Sequence, residues 1–361
     1  MEHYKKKMLL LLAIGGMLTN TLPSFAVAAE RKEGFISEQK NRGDSAFSPT
    51  GFRGILAQTY SSMFVMKLYT EKIQRQSETD LGSIRTIDDK LRENIVSHQK
   101  SAKKHATYWI EDLHPQILKV NQSIINFNEL FQNYYVRLSA SIKQKNKEQL
   151  QSDLEELSEF ITNNIRESDL LTKAIQQFRS NIHLDVRNFK EDSSNLTPIL
   201  TNENSKVTVV QQQITQWNDK IKKLKNQLLR GETICFPLLG CLTGKPLITA
   251  VNKEISSAEN EIHKLQSRLV GGEKEVAILT DVQNKIVNMV EAIDMALGAL
   301  QHVSNQWYTI QVKYETVLED IQNIDPEDLS FIRLDLNTAK KEWQDMKEYA
   351  EKLLELYLTT D

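Results

Sequence analysis

Cys235 and Cys241 are the only two cysteines of the chain, and the residues between them include Pro237 and Gly240. In an oxidising compartment such a pair reads first as a disulfide that staples a turn. The competing reading is two buried thiols acting as small apolar groups. Other chemistry is thinly represented. His98, His105, His114, His183, His263 and His302 form no pair at metal-ligand spacing, and neither an H-E-x-x-H motif nor a phosphate-cradling glycine loop occurs. His98 and His105 are seven apart and share a helix face, where a solvated histidine is far commoner than a ligand. Acidic pairs such as Glu155 with Glu156 alternate with lysine and read as solvated helix surface. No nucleophile carries a recognisable local signature. The expectation is a protein that is no enzyme and that uses no metal or cofactor.

The cysteines sit inside the most informative stretch of the chain. Residues 233–252, TICFPLLGCLTGKPLITAVN, carry a single charge, Lys245, between two charged segments of helical period. Pro237, Gly240, Gly244 and Pro246 disfavour one continuous helix and favour turns. Two arms result, 233–241 and 243–252, each about the 9–11 residues that a membrane-crossing β-strand needs. One hairpin cannot span a bilayer alone, because its outer edges leave backbone groups unpaired. The expectation is an apolar, β-hairpin-like head that water must not see, with Ile234, Phe236, Pro237, Leu238, Leu239, Leu242, Leu247, Ile248 and Val251 engaging membrane lipid. The other reading is an apolar cap packed on a helical body. A second uncharged stretch, residues 54–66, places Ile55, Leu56, Tyr60, Met63 and Phe64 at spacings of three and four. It reads as a buried bundle helix or as a second inserting segment.

The elements that must position the head are long helices. The 361 residues are 26% charged and 40% hydrophobic with 13 Gly and 7 Pro, a composition that favours helix over sheet or disorder. Periodicity predicts a helix from about Ile84 to Lys145 with a kink at Leu113 and His114, imposed by Pro115. A third helix follows from Lys147 to about Phe189. Ser193, Ser194, Asn195, Thr197 and Pro198 then mark a discontinuity. The next segment, Glu203 to Arg230, ends in a strongly basic run: Lys220, Lys222, Lys223, Lys225 and Arg230. Beyond the head, Ile255, Ile262, Leu269, Val276, Ile286, Ile293, Leu300, Trp307, Tyr314 and Ile321 trace the seam of a packed helix on the order of 100 Å long if unbroken. Gly271 and Gly272 interrupt it as a hinge or as a plain break. A last helix is expected from Pro326 to about Leu358. Helices of this reach pack side by side, so the fold class is all-α: an elongated antiparallel long-helix bundle with a small apolar head inserted between two long helices, at or near one end.

At the N-terminus, Lys5, Lys6 and Lys7 precede an apolar core from Met8 to Leu18, and Ala26 and Ala28 mark cleavage before Ala29, the layout of a secretory signal. A retained anchor is disfavoured by the short apolar run and by Thr19, Asn20, Thr21 and Pro23 after it. The expected organisation is a signal peptide over 1–28, a leader over 29–50, bundle over 51–232, head over 233–252 and bundle over 253–361. Losing 1–28 removes three Lys and one Glu, so the formal charge of −3 becomes −5. That balance supplies no basic face for phosphates, and nucleic acid is excluded as a partner.

Ser97-His98-Gln99-Lys100, Trp109-Ile110-Glu111, Pro115, Asn121 and Tyr134-Tyr135 resemble the helical core of the haemolysin BL and non-haemolytic enterotoxin family of secreted toxins. A looser likeness extends to cytolysin A, and the layout follows the family's to about Leu358. The resemblance implies an α-helical pore-forming toxin that often needs partner components, with the insertion at 233–252 acting as a membrane-engaging tongue held against the helical body. The stretch is shorter than the longest tongues of that family and is interrupted by Lys245 and its prolines. The resulting expectation is an exported toxin or toxin component. It would be soluble until it meets target-cell membrane lipid and would then assemble as a homo-oligomer or with co-secreted subunits. A secreted coiled-coil binding or adhesion protein whose head docks a protein partner is the alternative.

Overall fold

The computed structural model of the chain describes residues 45–49, 51–76, 87–201, 206–229, 244–269, 272–323, 325–326 and 329–359, all within the unit Ser45–Asp361. Among them the elements are eight α-helices and one π-helical turn, with no strand. They are α1 (Phe52–Arg75), α2 (Asp89–Tyr108), α3 (His114–Gln144), α4 (Lys147–Thr201), α5 (Lys206–Leu229), α6 (Gly244–Ser267), α7 (Gly272–Asn323) and α8 (Ser330–Leu358).

Helix α1 is the central one. It starts after Gly51, whose φ of 97° is left-handed, a backbone conformation in which any other side chain is strained. Leu56, Tyr60, Met63 and Phe64 are buried and Ile55 is partly buried against the core. In this form the 54–66 stretch is a bundle helix. Its hydroxyls also enter the core because each bonds its own helix: Thr59 Oγ1 donates to the Ile55 carbonyl at 2.9 Å and Ser61 Oγ to that of Ala57 at 2.8 Å.

Asp88 caps α2 by accepting the Leu91 N–H at 2.8 Å. The distortion expected at Leu113 and His114 is a π-helical turn over Trp109–Leu113, in which the His114 N–H bonds the Trp109 carbonyl five residues back. Pro115 has no N–H to continue the ordinary ladder, and the widened turn absorbs that loss while Trp109 and Leu113 both stay in the core. Helix α4 corrects the break placed at 193–198: it runs through Pro198 to Thr201. Asp192 and Leu196 are buried there, and Asp192 Oδ2 lies 2.8 Å from His98 Nδ1 on α2, so tertiary packing holds the helix past the residues that would end it in isolation. At 1.5 Å per residue its 55 residues reach roughly 80 Å. The expected helix from 252 to 322 is two helices, α6 and α7, separated at the glycine pair.

Side-chain pairs fix the directions. Arg179 pairs with Asp294, Ser304 Oγ donates to Asp169 Oδ1 at 2.6 Å and Gln311 Nε2 to Thr162 Oγ1 at 3.3 Å, so α4 and α7 are antiparallel. Gln132 Nε2 donates to the Lys340 carbonyl at 2.9 Å and Tyr135 to Asn337 at 2.7 Å, which sets α3 antiparallel to α8. The C-terminal half of α7 carries an aromatic core. Trp307 and Trp343 stack at 6.0 Å, and Phe52 and Phe127 meet Trp307 edge-on at 5.0 and 5.1 Å. Phe47 closes this cluster: it is fully buried, lies edge-on to Tyr314 at 5.0 Å, and its carbonyl accepts the Trp343 Nε1–H at 2.8 Å.

Candidate membrane-engaging head

The head is framed by α5 and α6. Gln211 Nε2 donates to Thr280 Oγ1, Asn218 Nδ2 to Asp281 Oδ1 and Asn226 Nδ2 to Glu291 Oε1, at 3.3, 3.0 and 3.2 Å. These numbers rise together, so α5 runs parallel to α7. It therefore ends, three residues after Asn226, alongside the middle of α7. The expected placement of the head's roots at one end of the bundle is corrected accordingly. The chain reverses after Thr201, so α5 returns along the bundle rather than prolonging it.

Of the head itself, Gly244 to Asn252 are described, and they form the first turns of α6. The second arm is thus helical and not extended. Pro246, exposed in the first turn, gives up an N–H that has no helical partner there. Ile248, Val251, Ile255, Ala258 and Ile262 then make one continuous buried stripe. Its spacing of three and four begins inside the head and continues past it, a helical signal that the turn-forming residues outweighed in the sequence reading. Ile248 and Val251 are therefore core residues in this form, at 3% and 4% exposure. Ile234, Phe236, Pro237, Leu238, Leu239, Leu242, the Cys235–Cys241 pair and the Leu247 side chain lie outside the described residues. A groove of about 420 Å³ separates α6 from α1, lined by Phe64, Leu68, Glu71, Asn252, Ile255 and Ser256 among others.

Near the C-terminal end of α5 lies a polar cluster that the sequence does not announce openly. Lys225, one of the strongly basic run that closes this segment, is 1% exposed. Its Nζ sits over the Tyr69 ring, 3.3 Å from the centroid. Burial pushes the Lys225 ammonium well below the usual lysine range, with Glu259 opposing that shift. Burial likewise pushes the Tyr69 hydroxyl up, aided by Glu291 and Glu259. Around them Lys72 pairs with Glu259, Lys285 Nζ donates to Asp281 Oδ2 at 2.7 Å and Lys222 reaches Glu291 at 3.1 Å. The signal was present in the sequence: Ile214, Asn218, Ile221, Lys225 and Leu228 occupy one stripe of α5, so Asn218 and Lys225 stand where apolar residues belong.

The histidine pair noted in the sequence has a structural partner set. His98 faces Asp192, and His105 Nδ1 lies 2.6 Å from Asp185 Oδ2, so α2 is laced to α4 by two rungs. Among the described residues no group of three or more His, Cys, Asp or Glu is arranged to hold a metal ion, and no helix is long and apolar enough to cross a membrane.

An antiparallel body of very long helices with a helical hairpin carrying an apolar insertion defines the class: the helical-bundle fold of α-pore-forming toxin components. The model of the Bacillus haemolytic enterotoxin (HBL) family matches residues 46–224, which contain the motifs quoted above, and the chain's resemblance to that family is thereby shown. The fold resembles that of the Bacillus cereus HblL1 toxin component, with a TM-score of 0.77 and 24% identity over 86% of this chain and 98% of that one. It is also similar to soluble SmhB of the tripartite α-pore-forming toxin of Serratia marcescens, with a TM-score of 0.66 and 17% identity over 86% of this chain and 92% of that one. Against the SmhB pore the TM-score is 0.57 at 14% identity, covering 84% and 98%. The described fold therefore lies nearer to the soluble form of SmhB than to its pore.

Proposed function

We propose that this chain is a component of an α-helical pore-forming toxin, exported through residues 1–28, soluble at first, and engaging target-membrane lipid through the 233–252 head. The observation that carries the reading is the HBL family match over 46–224, joined to a fold that covers nearly all of HblL1. The proposed chemistry is transfer of surface and not catalysis. Apolar side chains that leave water for lipid gain roughly 25 cal/mol per Å². A lone β-hairpin leaves the backbone groups of its outer edges unmatched in a bilayer, so an inserted state of that form would be completed by assembly with further copies or with co-secreted subunits. The tripartite organisation of the Smh relatives supports partner subunits here. The adhesion-module alternative has no observation in its favour.

The test is flotation with phosphatidylcholine–cholesterol vesicles and dye leakage from them, using the mature chain with and without Leu238→Asp and Leu239→Asp. The wild-type chain floats with the vesicles and the charged variants stay in the soluble fraction. Unchanged flotation of the variants would refute the head as the lipid contact.

A further inference from the structure

The two halves of α7 pack against different kinds of core. Its C-terminal half meets the aromatic cluster of Trp307, Trp343, Phe52 and Phe127. Its N-terminal half, where α5 and α6 lie, buries its own Asp281 and Lys285 beside Lys225 of α5 among apolar neighbours. Buried polar atoms lack partners in both halves, Trp307 Nε1 and the Tyr314 hydroxyl among the aromatics, but beside α5 and α6 the unpartnered atom belongs to an ion. Glu259 spends Oε2 on Lys72 of α1, while its buried Oε1 has no hydrogen-bond partner. Lys225 meets a ring face, which returns only part of the hydration an ammonium gives up on burial. A buried ion with incomplete partners is commonly replaced by an apolar residue of similar size at no loss, or with a gain, in stability. Its presence at the root of the one inserted segment therefore calls for a reason other than stability.

We propose that the Lys225–Tyr69–Glu259 cluster is a preloaded joint, a weak point built into the core that lets α5 and α6 part from α1 and α7 while the aromatic half of the bundle stays folded. The geometry suits that task. Lys225 lies on α5, Glu259 on α6, Tyr69 and Lys72 on α1, and Asp281 and Lys285 on α7, so separating the helical hairpin from the body returns all of these groups to water at once. Water solvates each of them fully, and the opened state recovers what the closed state lacks. Regions of low local stability are where binding segments move, and this one borders the head. The depressed ammonium of Lys225 agrees with a closed state that holds its charge unfavourably. The inference rests on the toxin reading only for what the motion is for; the joint itself stands on the packing.

Hydrogen exchange separates the two. In the purified full mature chain, Lys225→Met replaces the ammonium by a thioether of similar length, and Lys72 and Glu259 keep each other. Amides of α6 should then exchange at least tenfold more slowly than in the wild type, with those of α8 unchanged, and flotation with phosphatidylcholine–cholesterol vesicles should slow by a comparable factor. Glu259→Gln, which leaves Lys225 and Lys72 without their counter-charge, should speed α6 exchange. Equal or faster α6 exchange in Lys225→Met, or no acceleration in Glu259→Gln, overturns the joint. A wild-type chain that never floats, with α6 exchange shifted as stated, overturns the membrane reading and supports the joint.

Discussion

Replacing Ile248 by alanine asks whether the start of α6 is core or exposed tongue. Ile248 is 3% exposed and heads the stripe that runs through Val251, Ile255 and Ala258. A fully buried Ile→Ala change costs about 2–5 kcal/mol, the sum of lost transfer energy and the cavity left behind. The site lies in the first turns of the helix beside the α1–α6 groove, where neighbours can relax, so the expected value is about 2–3 kcal/mol. That is a large share of the roughly 5–15 kcal/mol that holds a typical domain. Urea unfolding followed by circular dichroism should show a lowered midpoint at unchanged slope, the mark of a stability change without a change in exposed surface. Glu254→Ala, at an exposed position of the same helix, should stay within about 0.5 kcal/mol. If Ile248→Ala costs no more than Glu254→Ala, Ile248 faces solvent or lipid and the assignment of the second arm to the core stripe is wrong.

Two further outcomes follow from the packing and the charges. Phe47→Ala should cost about 3–5 kcal/mol, because it empties the site between Tyr314 and Phe131, and a urea midpoint equal to wild type would show that residues 45–49 are not part of the core. Burial, with the Lys67 charge adding to it, holds the His114 imidazole below its ordinary value, and burial with Arg179 does the same for His183. Between those lowered values and the unfolded value of about 6.5, the unfolded chain binds protons that the folded chain refuses, so stability falls as pH drops through that window. His114→Gln should make the decline of melting temperature between about pH 6.5 and 5 shallower, and an unchanged slope would remove His114 from the account.

The all-α bundle was legible because its signals are long: the stripe of α7 from Val276 to Ile321 repeats over many turns, and every position named in it is buried. Boundaries were less legible where tertiary contacts overrule local preference. Ser193 to Pro198 would end an isolated helix, yet the buried Asp192 and Leu196 carry α4 across them. The head was legible as an apolar interruption, but its second arm was misread as extended because two glycines and two prolines weigh heavily in a short window. The helical spacing of Ile248, Val251 and Ile255 becomes plain only when it is followed beyond the end of the apolar stretch. Lys225 was hidden by its neighbours. Lys220, Lys222 and Lys223 around it look like a solvated run, and only the stripe through Ile221 and Leu228 marks one lysine of the group as buried.

The claim that the head leaves water for lipid is tested most directly by a polarity-sensitive fluorophore attached at Leu239→Cys in a chain that also carries Cys235→Ser and Cys241→Ser. On addition of vesicles the emission should shift to the blue and become quenchable by lipids labelled within the acyl region. Emission and quenching that stay the same while the chain floats with the vesicles would place the contact elsewhere and contradict the account.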